Sequence, residues 1–233
     1  MSIVNLRPCV AIIQARLGSS RLPLKSLLLL KNSPIIDWVV RRVSQAKLLD
    51  KVVVAIPNTH LDEILHEHLT AQGITCLRGP EDDVLARFCL VAEKTKAASV
   101  VRICADNPLV SYEAIDQLIE HFTSHPCDYA YNHIPRNNLW PDGLGAEILS
   151  SELLFKLEQK AKSPSEREHC LNYIWNNASK FHISTFNPTF PELCRPELKL
   201  DLDQVADYER LAHLPIFPEI SLVELMQIFK PSA

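Results

Sequence analysis

Glycine is scarce in this chain: five residues in 233, at positions 18, 73, 79, 143 and 145. They nowhere form Gly-x-Gly-x-x-Gly, which argues against a NAD-type dinucleotide turn, and no Gly-x-x-x-x-Gly-Lys-[Ser/Thr] is present, which excludes a Walker phosphate loop. The seven cysteines include no Cys-x-x-Cys pair. Their odd number, with Cys9, Cys89 and Cys104 inside apolar runs, fits buried thiols in a reducing cytoplasm better than a disulfide framework or a zinc site. No apolar run approaches the roughly 18 residues that span a bilayer, so no membrane partner is expected. Met1 to Val10, broken by Asn5, Arg7 and Pro8, is unlike a secretion signal. An excess of one charge is also missing: 24 Lys and Arg against 28 Asp and Glu give net charge -4, so nothing points to a nucleic-acid partner. Any anion site must therefore be local.

What is present starts with Cys9-Val-Ala-Ile-Ile13, an apolar run of strand length. It opens directly onto Gln14-Ala-Arg16-Leu-Gly18-Ser-Ser-Arg21-Leu-Pro-Leu-Lys25. Gly18 allows a turn or a close approach to a ligand, the serines and backbone amides can donate to phosphate oxygens, and Arg16, Arg21 and Lys25 can neutralise a polyphosphate. A surface loop with solvated cations is the bland alternative. The absence of an intervening acid and the position after a buried strand, where open α/β sheets form their ligand crevice, favour the anion site.

With 47% hydrophobic and 22% charged residues, the chain is expected to form one domain over 1–233 with a small projecting element. Ser33-Pro34 reads as the cap and first turn of a helix with Ile36, Val39, Val40 and Val43 inward. Strands are expected at Lys51–Ile56, Ile74–Leu77 and Ala98–Ile103, with helices over Leu61–Ala71 and from Asp83 to about Lys96. Alternating strands and helices predict an α/β fold: a doubly wound sheet of about seven mostly parallel strands. Asp106, in Cys104-Ala-Asp-Asn-Pro108, falls just past the fourth strand, on the same edge as the first loop, although Asp-x-Pro is also common turn chemistry. A helix should follow from Ser111.

From Asp128 to about 148 the pattern loosens into aromatic and amide residues, including Tyr129, Tyr131, Asn132, His133, Arg136 and Trp140. This excursion can line a pocket for a hydroxyl-rich ligand or cover a homodimer interface, and both alternatives stay open. Ser163 with Glu166, and Ser221 with Glu224, have capping-box spacing. Leu198 to Asp203 alternates as a strand should, with a helix from Gln204 to Leu211 behind it, which makes Asp203 either a helix cap or a ligand.

The string Ile-Ile-Gln-Ala-Arg-Leu-Gly-Ser-Ser-Arg-Leu-Pro-x-Lys resembles the signature loop of the cytidylyltransferases that activate acidic sugars. It is most similar to the branch known as spore-coat polysaccharide biosynthesis protein F, related to the keto-deoxy-octulosonate and acylneuraminate enzymes. The resemblance extends through Arg78-Gly79-Pro-Glu-Asp-Asp83-Val-Leu-Ala-Arg87, Ala105-Asp106-Asn-Pro108, Pro141-Asp142-Gly143-Leu144, Ser165-Glu166-Arg167-Glu168-His169 and Leu202-Asp203-Gln-Val-Ala-Asp207, spanning about residues 9 to 211. It implies a Rossmann-like sheet of the nucleotide-diphospho-sugar transferase type, CTP and an acidic keto-sugar as substrates, and magnesium as cofactor. Catalysis is assigned to Arg16, Lys25 and Asp106, and metal binding to Asp106 and Asp203. Substrate binding is assigned to Gln14, Ala15, Gly18, Ser19, Arg21, Arg78, Gly79, Arg102, Asp142, Glu147, Arg167 and His169.

Three departures stand out: Leu24 and Ala105 where the family usually carries glycine, and Gly145 where it usually carries aspartate. The β-carbons at 24 and 105 are expected to narrow the approach to phosphate, and Gly145 to lack a sugar or metal contact. Two rivals follow: transfer to another sugar or sugar phosphate, including by a glycosyltransferase, and a nucleotide-binding homologue that has lost turnover.

Overall fold

The computed structural model describes residues 6–229; the part of the leader reading that falls on residues 1–5 lies outside the described residues. The chain begins with strand β1 (Cys9–Gln14), then the short hairpin β2 (Leu29–Leu30) and β3 (Ser33–Pro34), followed by α1 (Ile35–Val43), β4 (Lys51–Pro57) and α2 (Glu63–Ala71). Next come β5 (Cys76–Gly79), α3 (Val84–Thr95), β6 (Ser99–Cys104), α4 (Tyr112–Ser124), β7 (Tyr129–Tyr131) and β8 (Glu147–Ser150). The remainder is α5 (Ser151–Lys160), α6 (Pro164–Glu168), α7 (Asn172–Asn176), β9 (Ile183–Ser184), α8 (Val205–His213) and α9 (Leu222–Ile228).

Seven strands form one sheet in the order β5-β4-β1-β6-β8-β7-β9. Strands β5, β4, β1 and β6 are parallel, β8 runs against both β6 and β7, and β9 is parallel to β7. The mostly parallel α/β sheet expected from the sequence is thus present. The chain winds outward from β1 through β4 to β5, then returns to place β6 on the other side of β1. That reversal opens a crevice beyond the carboxyl ends of β1 and β6.

Burial on both faces explains the continuous apolar strands. Ala11, Ile13, Val101 and Ile103 pack beneath α1, α2 and α4, whereas Val10, Ile12 and Val100 face α3 and α5. Each fully buried Val, Ile or Leu contributes about 1.5–3 kcal/mol. A third apolar cluster joins Trp38, Leu200, Leu202, Leu211 and Leu225, and fixes the late segments against α1, the β2–β3 hairpin at Leu30 and the loop after β6 at Leu109.

Three local expectations change. Ser33 and Pro34 do not start a helix but pair with Leu30 and Leu29, and the intervening Lys31 and Asn32 (φ 47 and 68) form the left-handed two-residue turn that hairpins favour. Helix α1 therefore begins at Ile35 without a side-chain cap. Leu198–Asp203 is extended but meets only loops, so its pairing is one bridge between Lys199 and Asp142 rather than a ladder. Finally, the stretch after 128, where the pattern loosens into an excursion, supplies β7 and β8 to the central sheet. The boxes are clearer. Ser163 accepts the Glu166 N–H, and Ser221 and Glu224 cap α9 reciprocally. No helix among the described residues is long and apolar enough to cross a membrane, and all seven cysteines are free thiols.

Candidate active site

The loop leaving β1 is anchored from beneath. Asp62, buried at the start of α2, accepts the Leu17 N–H at 2.8 Å and the Thr59 hydroxyl at 2.6 Å. Leu17 and Leu22 turn inward, Ser19 Oγ accepts the Leu22 N–H at 3.3 Å, and the Leu24 N–H closes on Leu17 O at 3.1 Å. Gly18 does not have a left-handed backbone, and a β-carbon there would meet only Leu61, at 3.9 Å. The left-handed residue is Leu24 (φ 57, ψ 19), and it launches the turn that carries Lys25. The loop's conformational demand thus falls at position 24, not at Gly18.

Lys25 and Arg21 converge on two carboxylates from distant segments. Lys25 Nζ lies 3.0 Å from Asp106 Oδ2, 3.7 Å from Asp203 Oδ1 and 2.9 Å from Leu202 O. Arg21 Nη1 is 2.8 Å from Asp203 Oδ2. The Leu202 N–H donates to Asp106 O at 2.8 Å, which ties the two acidic segments together by backbone. Asp203 is not a cap: Gln204 occupies that position and shares a capping box with Asp207, so the Asp203 carboxylate is left to the cations. Arg16 stands apart, half-exposed, with Glu168 at 3.6 Å.

Asp142 and Asp201 extend this acidic wall. Burial first, then the neighbouring Asp201, pushes the Asp142 carboxyl up to about 6, and Asp106 and Asp203 add to the effect. Burial also raises Asp201, whose Oδ1 has no partner although Lys199 Nζ is 3.5 Å from Oδ2. Sequence reading missed Asp201 and Asp62. Alternation with buried Leu200 and Leu202 was a signal for the first, while the role of the second depends on a contact with residue 17 that only the fold creates.

A second charged group lies along the same strand ends. Gln14 Oε1 accepts from Arg102 Nε and Nη2 at 3.3 and 3.2 Å, Arg102 pairs with Glu147, and Glu147 accepts the Tyr129 hydroxyl. His133 Nε2 is 3.8 Å from Glu147. Burial works to raise the Glu147 carboxyl, but Arg102, His133 and Tyr129 outweigh it and hold the group below its ordinary value. Burial likewise lowers His133, against the pull of Glu147.

Other expected site residues lie in structural contacts. Arg78 bonds Glu63 Oε2 at 2.6 Å and Thr59 O at 3.0 Å. Gly79 is pressed by the buried Arg87, whose Cγ would be 3.0 Å from an added β-carbon. Arg167 clamps α6 to its neighbours through Asp83 and Glu158. Ala15 is buried, and His169 is exposed just past α6. Ala105 directs its methyl into the core. A side chain at Gly145 would meet Asn132 O at 2.2 Å, so this position carries a packing requirement of its own.

A family model described as cytidylyltransferase matches residues 10–221. The chain is 33% identical to the spore coat polysaccharide biosynthesis protein SpsF of Bacillus subtilis over 227 residues, covering 93% of this chain and 92% of the relative. It is 34% identical to the 3-deoxy-manno-octulosonate cytidylyltransferase of Bdellovibrio bacteriovorus over 119 residues, about half of each protein (50% and 47%). Among solved structures, a cytidylyltransferase of Leptospira borgpetersenii superposes with a TM-score of 0.85 at 27% identity, covering 95% and 93% of the two chains. A CMP:2-keto-3-deoxy-manno-octonic acid synthetase complexed with CTP gives a TM-score of 0.63 at 19% identity, covering 88% and 96%, and shares the fold.

Proposed function

The chain belongs to the cytidylyltransferase family, and from that premise we propose that it transfers CMP from CTP to an acidic keto-sugar for surface polysaccharide assembly, releasing pyrophosphate. The observation that carries the reading is the meeting of Lys25, Arg21, Asp106 and Asp203 beyond the carboxyl ends of β1 and β6. In such a transfer a sugar oxygen attacks the α-phosphorus in line, and positioning and charge neutralisation carry most of the rate. Arg21 and Lys25 grip phosphate oxygens, and Arg16 extends the cationic rim. The family's description supports cytidine, and the names of relatives such as the Bdellovibrio enzyme support a keto-acid sugar.

The residues present fit magnesium. Asp106 and Asp203 already converge on one cation, the Lys25 ammonium, and a hard ion is commonly held by one or two carboxylates plus substrate phosphates. Among the described residues no group of three or more His, Cys, Asp or Glu could hold a metal alone, which suits a site completed by the nucleotide. Bound there, magnesium supplies charge neutralisation to the triphosphate and its leaving group.

The test is pyrophosphate release from CTP, UTP, ATP and GTP with magnesium, against acidic keto-sugars and sugar phosphates. Release confined to CTP with a keto-acid sugar is expected. Release with another nucleotide, or only with a sugar phosphate, overturns the assignment, and CTP binding with no release from any acceptor favours a homologue without turnover.

A further inference from the structure

We propose that Lys25 is a placeholder cation: in the nucleotide-free protein its ammonium holds the point between Asp106 and Asp203 that a divalent metal takes with the triphosphate, so lysine and metal exclude one another there. The inference rests on the metal role proposed above for the two carboxylates.

The geometry is that of an occupied cation site. The ammonium has three donors; it donates to Asp106 Oδ2 at 3.0 Å and Leu202 O at 2.9 Å, and Asp203 Oδ1 lies beside it as an ion-pair partner at 3.7 Å. The Lys25 side chain is 12% exposed against 64% for Arg21, so Lys25 is the enclosed cation and Arg21 the outer one. An ammonium and a divalent ion about 4 Å apart or closer repel strongly, so a metal entering this point must expel the lysine. Lysine can leave: its charge sits on a flexible four-carbon stem, and a triphosphate offers new acceptors on the loop side. Nucleotide binding then draws Lys25 away and frees both carboxylates, and by linkage metal and nucleotide each tighten the other.

Mn2+ binding followed by electron paramagnetic resonance tests this, with and without CTP and with the metal held by free CTP subtracted, in the wild type, Lys25→Met and Lys25→Gln. Without CTP the wild type should bind Mn2+ weakly and both variants about tenfold or more tightly, the effect of removing one unit charge from a partly enclosed site. The enhancement by CTP should shrink in both variants. Adding Asp106→Asn to Lys25→Met should return binding to the weak level. Folded variants that bind Mn2+ no more tightly than the wild type overturn the placeholder and leave the metal reading standing. So does a wild type that binds equally with and without CTP, a result independent of any variant's folding. No Mn2+ binding by the wild type even with CTP overturns the metal reading itself.

Discussion

Two charged groups line the same edge of the sheet and differ in how they are held. Arg102 and Glu147 sit on neighbouring strands and face each other by register, with Glu147 4% exposed and contacted by Arg102, Tyr129 and His133. Lys25, Asp106 and Asp203 come from a loop, a turn and an extended strap, and are 12%, 29% and 23% exposed. The first group balances its charge within itself. The second lies beside Asp142 and Asp201, and so has more carboxylates than enclosed cations. A pair fixed by strand register cannot exchange partners without breaking the sheet, whereas one built on loops can. This difference assigns rigidity to the first group and ligand exchange to the second.

The largest effect should come from breaking the closed group. Arg102→Met leaves the Glu147 carboxylate buried without its cation, which costs about 3–5 kcal/mol. Urea unfolding measures it, and Arg102→Met with Glu147→Leu should regain most of the loss because a well-packed apolar pair replaces a buried ion pair at little cost. A loss below about 1 kcal/mol in the single variant would erase the distinction between the two groups. At the open group the effect moves from stability to rate. Asp106→Ala should keep its unfolding midpoint and lose roughly a hundredfold or more in turnover, as when a key electrostatic element is removed.

Asp142 connects the acidic wall to stability through pH. Its carboxyl is raised from 3.8 to about 6, so the folded protein holds this proton more tightly than the unfolded chain. The stability it contributes is full below about pH 4 and is lost as pH rises through about 6. Asp142→Asn, which cannot ionise, should therefore match the parent near pH 4 and exceed it at pH 8. The gain, screened by solvent at a half-buried site, is about 1–2 kcal/mol. Unfolding curves at the two pH values check both sign and size, and a gain that is equal at both would place the effect outside Asp142 ionisation.

The two groups also differ in how far sequence reveals them. Lys25, Asp106 and Asp203 are legible one by one, Lys25 in the polar loop behind the first apolar run, Asp106 just past the fourth strand and Asp203 at the end of an alternating segment, and an open parallel sheet brings strand ends to one edge. The roles of Arg102 and Glu147 were not legible as a pair: they are 45 residues apart, and their meeting depends on β8 entering the sheet antiparallel beside β6. Ser33 was misread because Ser-Pro is equally good chemistry for a cap and for the end of a tight hairpin, and pairing with Leu30 decided between them. Asp62 shows a local sign only in its contact with Thr59; its anchoring of Leu17 is purely tertiary.

Leu24 is the point where the open group is under strain. Among the described residues it is the non-glycine residue of the signature loop with positive φ, at 57°, and it is 44% exposed. A left-handed backbone costs an L-residue about 1–2 kcal/mol, so a glycine at this position would relieve the backbone itself and not only the approach to phosphate. Elsewhere glycine is less stable than alanine by about 0.5–1 kcal/mol, because its unfolded chain has more freedom to lose. At position 24 the order should reverse, with Leu24→Gly more stable than Leu24→Ala by about 0.5–1 kcal/mol in urea unfolding. Both substitutions remove the leucine side chain, so the difference between them isolates the backbone. An alanine variant at least as stable as the glycine variant would show that the turn before Lys25 carries no strain, and would weaken the contrast between a rigid, relaxed strand pair and a loop held ready to move.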